Sequence, residues 1–250
     1  MSLHEAEAII LRHYPLSEAD RLIVLLTREV GLLRGVVRGA KKPTSRLGAC
    51  LEPLNHAIVQ YYLREGADLA RIIQCEIVYS FLGRVRSLDR VCGFTYFAEL
   101  AQEMSQENNP NPVVFRLLLA SLRSGEQLGV NNQLLRYFEL WMLRLSGLLP
   151  DYDYCSNCGL CVKQKGFYAW LEGGQGRCEA CSGSRGLKVG PEAAAILHRL
   201  QRLPPEVFAA LHWSEQASRE LEDLSRSLLD WHLERKLKSF RVLQEVLEGK

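Results

Sequence analysis

Short apolar segments separated by breaking residues dominate the first 80 positions of the chain. Five of these segments are rich in Ile, Leu and Val, a composition that favours strands. They are Ala6–His13, Arg21–Thr27, Leu32–Arg38, Leu54–Leu63 and Leu69–Tyr79. Charged and glycine-containing tracts separate them, such as the one from Arg64 to Asp68. This pattern predicts five short strands in residues 1–79.

Five strands in a segment of this size indicate a small barrel or sandwich, and the oligonucleotide-binding barrel (OB-fold) has this count. Inward and outward positions alternate along a barrel strand. Arg34 and Arg38 share a parity on the third strand, so both are predicted to face outward. Val36 has the same parity, so the outward face of this strand is not expected to be purely polar. Tyr61 and Tyr62 are neighbours and must point to opposite sides. One is expected in the core, and the other is either a structural surface residue or a ring on which a base stacks.

From residue 80 the apolar positions recur at three- and four-residue steps, which is typical of helices. The first helical segment carries Phe94, Phe97, Leu100, Ala101 and Met104. A later one, from about Gln133 to Ser146, is apolar almost all round and is therefore expected at the centre of a bundle. A long final helix is predicted to begin near Ser214. Its apolar positions would be Leu221, Leu224, Leu228, Trp231 and Leu237.

These elements predict an α+β multidomain protein. The predicted domains are an N-terminal barrel (1–79), the first part of a helical domain (80–150), an inserted metal module (151–188) and the rest of the helical domain (189–250). The chain has 250 residues, of which 47% are hydrophobic, enough for one large or two to three small cores. No run of 18 uncharged apolar residues occurs, so no membrane span is expected.

The beginning of the chain carries acids and lacks the basic start of an export signal, so a cytoplasmic, reducing location is expected. Eight cysteines in such a location favour metal binding over disulfides. Four of them, Cys155, Cys158, Cys178 and Cys181, read C-x2-C-x19-C-x2-C. This spacing is typical of a four-thiolate Zn²⁺ site, and four protein ligands leave no position for a water, so the predicted zinc is structural.

Glycines near these cysteines suit the metal module. Gly159 and Gly183 can take the positive φ that tight metal-binding turns need. Three more glycines between the two cysteine pairs predict a short hairpin that closes onto the metal: Gly173, Gly174 and Gly176.

Other interpretations of these cysteines stay open at the level of sequence. They could form a disulfide or remain free buried thiols, or they could hold an iron–sulfur cluster, although the usual spacings of such a cluster are missing. Cys161 extends the first pair to C-x2-C-x2-C and could replace Cys158 as a ligand.

Positive charge is concentrated although the net charge is only +2. No acid lies between Glu29 and Glu52, and this interval holds the five cations that we call the basic segment: Arg34, Arg38, Lys41, Lys42 and Arg46. The basic segment is either an ordinary solvated surface or a surface that binds a polyanion.

No catalytic motif is present. The sequence lacks a phosphate-binding G-x-x-x-x-G-K-[ST] loop, an H-E-x-x-H pair and a G-x-S-x-G turn, and its six histidines are dispersed. The expectation is therefore a binding protein and not an enzyme. Two rival hypotheses are a zinc-stabilised module that binds only other proteins, without direct DNA binding, and a zinc enzyme with a site that sequence does not reveal.

Several short pieces together resemble the bacterial RecO family of recombination mediators. They occur in the family's order along nearly the whole chain: Glu18-Ala19-Asp20-Arg21-Leu22, Arg38-Gly39-Ala40-Lys41-Lys42 with Ser45-Arg46, Tyr96-Phe97-Ala98-Glu99-Leu100, Phe138-Glu139-Leu140, the two cysteine pairs, and Glu234-Arg235-Lys236-Leu237-Lys238-Ser239. Two features depart from the family, because Cys161 is additional and Phe240 stands where a basic residue is common.

The resemblance implies an N-terminal OB-fold, a helical domain and a zinc module. It also implies binding of single- and double-stranded DNA, annealing of complementary strands, and loading of recombinase onto DNA coated by single-stranded DNA-binding protein. RecR is the implied co-mediator, RecF is a further candidate partner, and the implied location is the cytoplasm at the nucleoid. The implied DNA-binding residues are those of the basic segment. Five cations on single-stranded phosphates would give a slope of about −3.5 for log affinity against log salt.

Overall fold

The computed structural model describes residues 2–40, 46–64, 66–85, 87–233 and 235–249. The strands are β1 (Ser2–Pro15), β2 (Arg21–Thr27), β3 (Gly31–Val37), β4 (Asn55–Leu63), β5 (Ala70–Ser80), β6 (Phe167–Trp170), β7 (Gln175–Arg177) and β8 (Leu187–Val189). The helices are α1 (Arg46–Cys50), α2 (Leu88–Met104), α3 (Pro112–Leu128), α4 (Asn132–Leu145), α5 (Glu179–Ser182), α6 (Pro191–Arg199), α7 (Pro205–Ala209), α8 (Glu215–His232) and α9 (Lys238–Glu248). No helix among the described residues is both long and apolar enough to cross a membrane.

The chain forms two compact units. The first contains the residues up to Gly129 together with those from Leu237 onward, and the second runs from Val130 to Lys236. This division differs from the domain boundaries drawn from sequence at 79, 150 and 188. The first unit combines the five N-terminal strands with the helices α1, α2, α3 and α9, whereas the second unit contains α4 to α8, β6 to β8 and the cysteine cluster.

The five strands of the first unit close into a barrel in the order β1-β2-β3-β5-β4, and β1 also pairs with β4. The strands β3 and β5 run parallel, and their printed register is two residue pairs long, Gly35 with Ala70 and Val36 with Arg71. The interior is filled by alternate residues of the strands, among them Ala8, Ile10, Ile23, Leu25, Val59 and Tyr61. The strand positions predicted from the apolar segments are therefore confirmed to within a few residues.

A disulfide joins Cys50 on α1 to Cys75 on β5. The sequence analysis favoured metal binding for the cysteines, and for this pair that expectation is wrong. The two residues are 25 positions apart and carry no spacing motif. Only the closure of the barrel brings α1 beside β5.

The last helix of the first unit is fixed by a buried carboxylate. Glu99 on α2 is 5% exposed, and its carboxylate accepts hydrogen bonds from the backbone N–H of Ser239, at 2.8 Å, and from the Ser239 hydroxyl. These two bonds satisfy donors at the first turn of α9 that have no partner within the helix. The carboxylate of Glu99 also lies 3.8 Å from the guanidinium of Arg12 on β1.

The final helix predicted from Ser214 to beyond Leu237 is wrong in its extent. The helix α8 begins after the N-cap Ser214, whose hydroxyl accepts from the N–H of Ala217, but it ends at His232. Leu237 is instead the N-cap residue of α9, in the other unit. Trp231, expected in the buried stripe, is 57% exposed.

The second unit is built around α4, whose burial confirms the prediction of a central helix. An ion pair lies inside this unit and was not predicted. The guanidinium of Arg136 donates to Glu139 at 2.9 Å, and these residues are 1% and 0% exposed. On α8, the hydroxyl of Ser225 donates to Glu139 at 2.6 Å, and the carboxylate of Glu222 lies 3.3 Å from Arg136. These contacts pair both buried charges, which would otherwise be costly to desolvate.

Candidate functional site

Four cysteines of the second unit come together in one cluster. The sulfur atoms of Cys155, Cys158, Cys178 and Cys181 all lie within 4.8 Å of one another. The Sγ atoms of Cys158 and Cys178 are 3.7 Å apart. A tetrahedral ion with sulfur ligands at about 2.3 Å requires sulfur atoms about 3.8 Å apart. The cluster therefore has the size of a four-thiolate metal site, and its four thiols are not joined as disulfides.

Two turns and one hairpin position the four sulfurs. In the first turn the N–H of Gly159 donates to the carbonyl of Cys155 at 2.9 Å, and the φ of Gly159 is +71°. In the second turn Cys178 precedes α5, which Gly183 terminates with a φ of +58°. Both glycines thus take the positive φ predicted for them, a conformation that costs a residue with a Cβ more than glycine.

The predicted hairpin is also present. Strands β6 and β7 pair in an antiparallel register from Tyr168–Arg177 to Trp170–Gln175, and β8 adds to the other side of β6. The N–H of Ser156 donates to the carbonyl of Gly176 on β7 at 2.8 Å. This bond connects the first cysteine turn to the hairpin that leads into the second.

The electrostatics of the cluster favour a cation. Burial tends to raise the pKa of Cys155, but backbone N–H groups from Cys178, Cys158 and Asn157 outweigh it and lower that pKa to about 6. At Cys158 a backbone N–H from Leu160 favours the thiolate. Hydrogen bonds to the sulfurs of three neighbouring cysteines outweigh it and raise the pKa of Cys158.

Opposite shifts of this kind arise because four adjacent sulfurs cannot all be negative without a compensating charge. A bound divalent metal supplies that charge. The residues present therefore fit a metal ion of this type.

Cys161 does not belong to the cluster. It is exposed and pairs through its backbone with Tyr154 in an isolated β-bridge. The group of four sulfurs contains Cys158 instead. The alternative in which Cys161 replaces Cys158 is thus not the arrangement that the fold produces.

The structure describes part of the basic segment. Arg34 on β3 and Arg38 in the following turn are both exposed, as their shared parity predicted. Lys41 and Lys42 lie outside the described residues. Arg46 begins α1, and its side chain is also outside the described part.

The turn that carries Arg38 is held by an acid from the preceding loop. The N–H of Gly39 donates to the carboxylate of Asp20 at 2.9 Å, and Gly39 has a φ of +67°. This bond ends β3 and fixes the direction in which the chain leaves the barrel after Arg38.

Arg34 has a partner that sequence reasoning missed. Its Nε lies 2.8 Å from a carboxylate oxygen of Glu107, in the loop between α2 and α3. The side chains of Arg34 and Glu107 are 46% and 36% exposed, so the pair is open to solvent. No local pattern reveals this pair, because the two residues are far apart in sequence and meet only where the loop passes β3.

The two adjacent tyrosines on β4 divide as predicted. Tyr61 is 2% exposed and belongs to the barrel core, whereas Tyr62 is half-buried.

Phe240 on α9 is buried, with its ring 5.3 Å from the ring of Tyr96. The residue that stands where a basic one is common in the family is thus part of the packing between α2 and α9.

A closed five-stranded barrel and a helical unit with four cysteines that could hold a metal ion define a class of two-unit proteins. Within this class the chain belongs to the recombination protein O family. The family profile described as "Recombination protein O N terminal" matches residues 1–81, and that described as "Recombination protein O C terminal" matches residues 85–241.

Named relatives agree over almost the whole chain. The DNA repair protein RecO of Koribacter versatilis is 36% identical over 248 residues, covering 98% of this chain and 99% of the relative. The protein of the same name from Nocardioides sp. is 33% identical over 255 residues, with 97% and 99% covered. That from Pelotomaculum thermopropionicum is 32% identical over 247 residues, with 97% and 94% covered.

Proposed function

We propose that this chain is a recombination mediator in DNA repair. In this proposal it binds single- and double-stranded DNA, anneals complementary strands and, with RecR, helps to load recombinase onto strands coated by single-stranded DNA-binding protein. The observation that carries the proposal is the match of both family profiles, which together cover nearly the whole chain. RecF is a further proposed partner, and the proposed location is the cytoplasm, at the nucleoid.

The barrel is the proposed DNA-binding element. Its strand order and the parallel pairing of β3 with β5 support assignment to the OB-fold, in which the second and third strands form the surface that binds oligonucleotides. Arg34 projects from β3, and Arg38 follows directly where β3 ends. Both cations are therefore on or next to the strand that such a surface would use.

The proposed mechanism of annealing is electrostatic. Two strands repel each other through their phosphates, and a surface that places cations between them weakens this repulsion. Phosphate contacts fix position without reading bases, so little sequence preference is expected. The process needs no bond to be made or broken in a nucleotide, and we propose that the protein acts by binding and not as an enzyme.

The proposed metal is one structural Zn²⁺ held by Cys155, Cys158, Cys178 and Cys181. A zinc ion supplies the positive charge that allows four close thiolates to coexist. The cysteine turns then hold the ends of the β6–β7 hairpin together. Because all four ligands come from the protein, the site offers no position for a catalytic water, which supports a structural over a catalytic role.

Strand annealing measured with fluorescently labelled complementary oligonucleotides tests the proposal, with the strands coated by single-stranded DNA-binding protein and with RecR present or absent. We expect Lys41→Glu combined with Arg46→Glu to abolish annealing, because the basic segment loses two cations and gains two acids. The control is Arg199→Glu combined with Arg219→Glu, which makes the same charge change at exposed positions of the second unit and should leave annealing intact.

The rival hypotheses give different results in the same experiments. If the wild-type protein fails to shift a labelled oligonucleotide even at low salt, the chain is a module that binds only proteins. If the Lys41 and Arg46 variant anneals normally, DNA is bound elsewhere on the surface. A metal that retains a water ligand in X-ray absorption spectra would support the zinc enzyme.

A further inference from the structure

The loop between α2 and α3 runs along β3 and pairs with it. The N–H of Leu32 donates to the carbonyl of Gln106 at 3.3 Å, and the N–H of Asn108 donates to the carbonyl of Leu32 at 3.2 Å. Together these bonds form an isolated parallel bridge. The loop thus lies on the edge of β3 just before Gly35 and Val36, where β3 pairs with β5.

Close contact with β3 fixes the position of this loop. Gly31, at the start of β3, has a φ of +77°, and a Cβ there would lie 2.1 Å from the carbonyl oxygen of Asn109. The side-chain amide of Asn109 in turn donates to the side chain of Gln106 at 2.9 Å. The backbone on both sides of Glu107 is therefore held against β3. These contacts fix the position of Glu107 beside Arg34.

Glu107 places a negative charge beside the basic segment, which lies in a stretch of sequence without acidic residues. No acid occurs in sequence between Glu29 and Glu52, yet a carboxylate oxygen of Glu107 lies 2.8 Å from Nε of Arg34. A carboxylate and a phosphate make the same kind of charge-assisted hydrogen bond to a guanidinium, and both can occupy its fork of N–H groups. A strand bound at Arg34 would need the space and the charge that Glu107 already uses.

We propose that Glu107 is an internal competitor of the nucleic acid phosphate at Arg34. A strand must displace this carboxylate before its phosphate can contact the guanidinium, so Glu107 weakens binding and speeds release. Such a contact suits a protein that brings two strands together and must then leave the duplex. This inference rests on the proposed DNA-binding role of the basic segment.

The test is the affinity of a labelled single-stranded oligonucleotide for the full-length protein, measured across a range of salt. The variant Glu107→Gln keeps the size of the side chain and removes its charge. An exposed ion pair contributes about 0.2–1 kcal/mol, so we expect binding about 1.5- to 5-fold tighter. Because Arg34 contacts a phosphate in both proteins once the strand is bound, the number of phosphates contacted does not change, and the salt slope should stay near about −3.5 in both.

The control Glu5→Gln removes the same charge from the same unit. Glu5 lies on β1, where it accepts from the side-chain amide of Gln60 at 2.9 Å. An effect of net charge alone would appear equally in both variants. In a protein that already carries Arg34→Gln, the gain from Glu107→Gln should vanish, because the cation that Glu107 occupies is missing. Thermal denaturation of each variant verifies that the first unit stays folded.

The outcomes separate this inference from the proposed function. If Arg34→Gln weakens binding but Glu107→Gln behaves like Glu5→Gln, Glu107 is not a competitor, and the DNA-binding role stands. If Glu107→Gln still tightens oligonucleotide binding in the Arg34→Gln protein, the inference is also overturned. If neither the wild type nor Glu107→Gln binds the oligonucleotide, both the inference and the proposed function are wrong.

Discussion

Replacing single cysteines tests which thiols hold the metal. Cys158 and Cys161 are both exposed and three residues apart, but only Cys158 belongs to the group of sulfurs within 4.8 Å. We expect Cys158→Ser to lose the metal and Cys161→Ser to keep it. The serine at Cys161 should be tolerated, because the β-bridge to Tyr154 is made by the backbone.

The size of the effect follows from the number of ligands. Structural zinc sites bind with apparent free energies of about 10–16 kcal/mol, so one ligand in four accounts for about 3 kcal/mol, or roughly a hundredfold in affinity. The Cys158→Ser protein should therefore lose its metal to a chelator at a concentration that leaves the wild type and Cys161→Ser loaded. Without metal, no shared ion holds the two cysteine turns together, and we expect residues 151–188 to unfold locally.

Metal content by mass spectrometry, measured after dialysis against a graded series of chelator, provides the assay. Limited proteolysis then locates the unfolded segment. Retention of metal by Cys158→Ser together with loss from Cys161→Ser would refute the ligand set. Equal chelator resistance of all three proteins would show that the four sulfurs do not act as one site.

Three further predictions concern stability, each measured by urea denaturation. Gly31→Ala should destabilise the first unit by more than about 2 kcal/mol, because left-handed backbone costs about 1–2 kcal/mol and the added Cβ would lie 2.1 Å from the carbonyl oxygen of Asn109. The control Gly66→Ala is also at positive φ but in open space, so it should cost only the left-handed backbone, about 1–2 kcal/mol. Equal losses of stability in the two variants would contradict this reasoning. Glu139→Ala should lower the free energy of unfolding by about 3–5 kcal/mol, because it removes a carboxylate that pairs with the buried guanidinium of Arg136; a loss below about 1 kcal/mol would be inconsistent with that. Burial tends to raise the pKa of Glu7, but hydrogen bonds from Arg28 and His56 outweigh it and lower that pKa. The Glu7 carboxylate therefore contributes to the free energy of unfolding above pH 4.5, and this contribution is lost as the pH falls through the folded pKa. Over this acid range the stability of Glu7→Gln should fall less than that of the wild type. Parallel plots of stability against pH for the two proteins would argue against this.

Local signals in the sequence account for the parts of the fold that were predicted. The five apolar segments predict the strands of the barrel because short runs rich in Ile, Leu and Val, bounded by breaking residues, are typical of strands. The cysteine pairs and their glycines predict the cluster because two-residue spacing presents both thiols from one turn. Gly159 and Gly183 have the positive φ that this geometry requires.

Features that depend on distant residues were not predicted. Glu107 meets Arg34, and Cys50 meets Cys75, only after the barrel has closed. The end of α8 is also invisible in sequence, because neither glycine nor proline occurs between His232 and Lys238. The break is explained by Glu99, which caps α9 through Ser239 and so draws that segment into the first unit.

The capping of α9 by Glu99 has a consequence for synthesis of the protein on the ribosome. The helix that completes the first unit is translated only after all of residues 130–236, a delay of roughly 5–20 s at typical elongation rates. During that interval α2 presents the apolar surface on which α9 will pack, and a chaperone that recognises exposed apolar surface could bind it then.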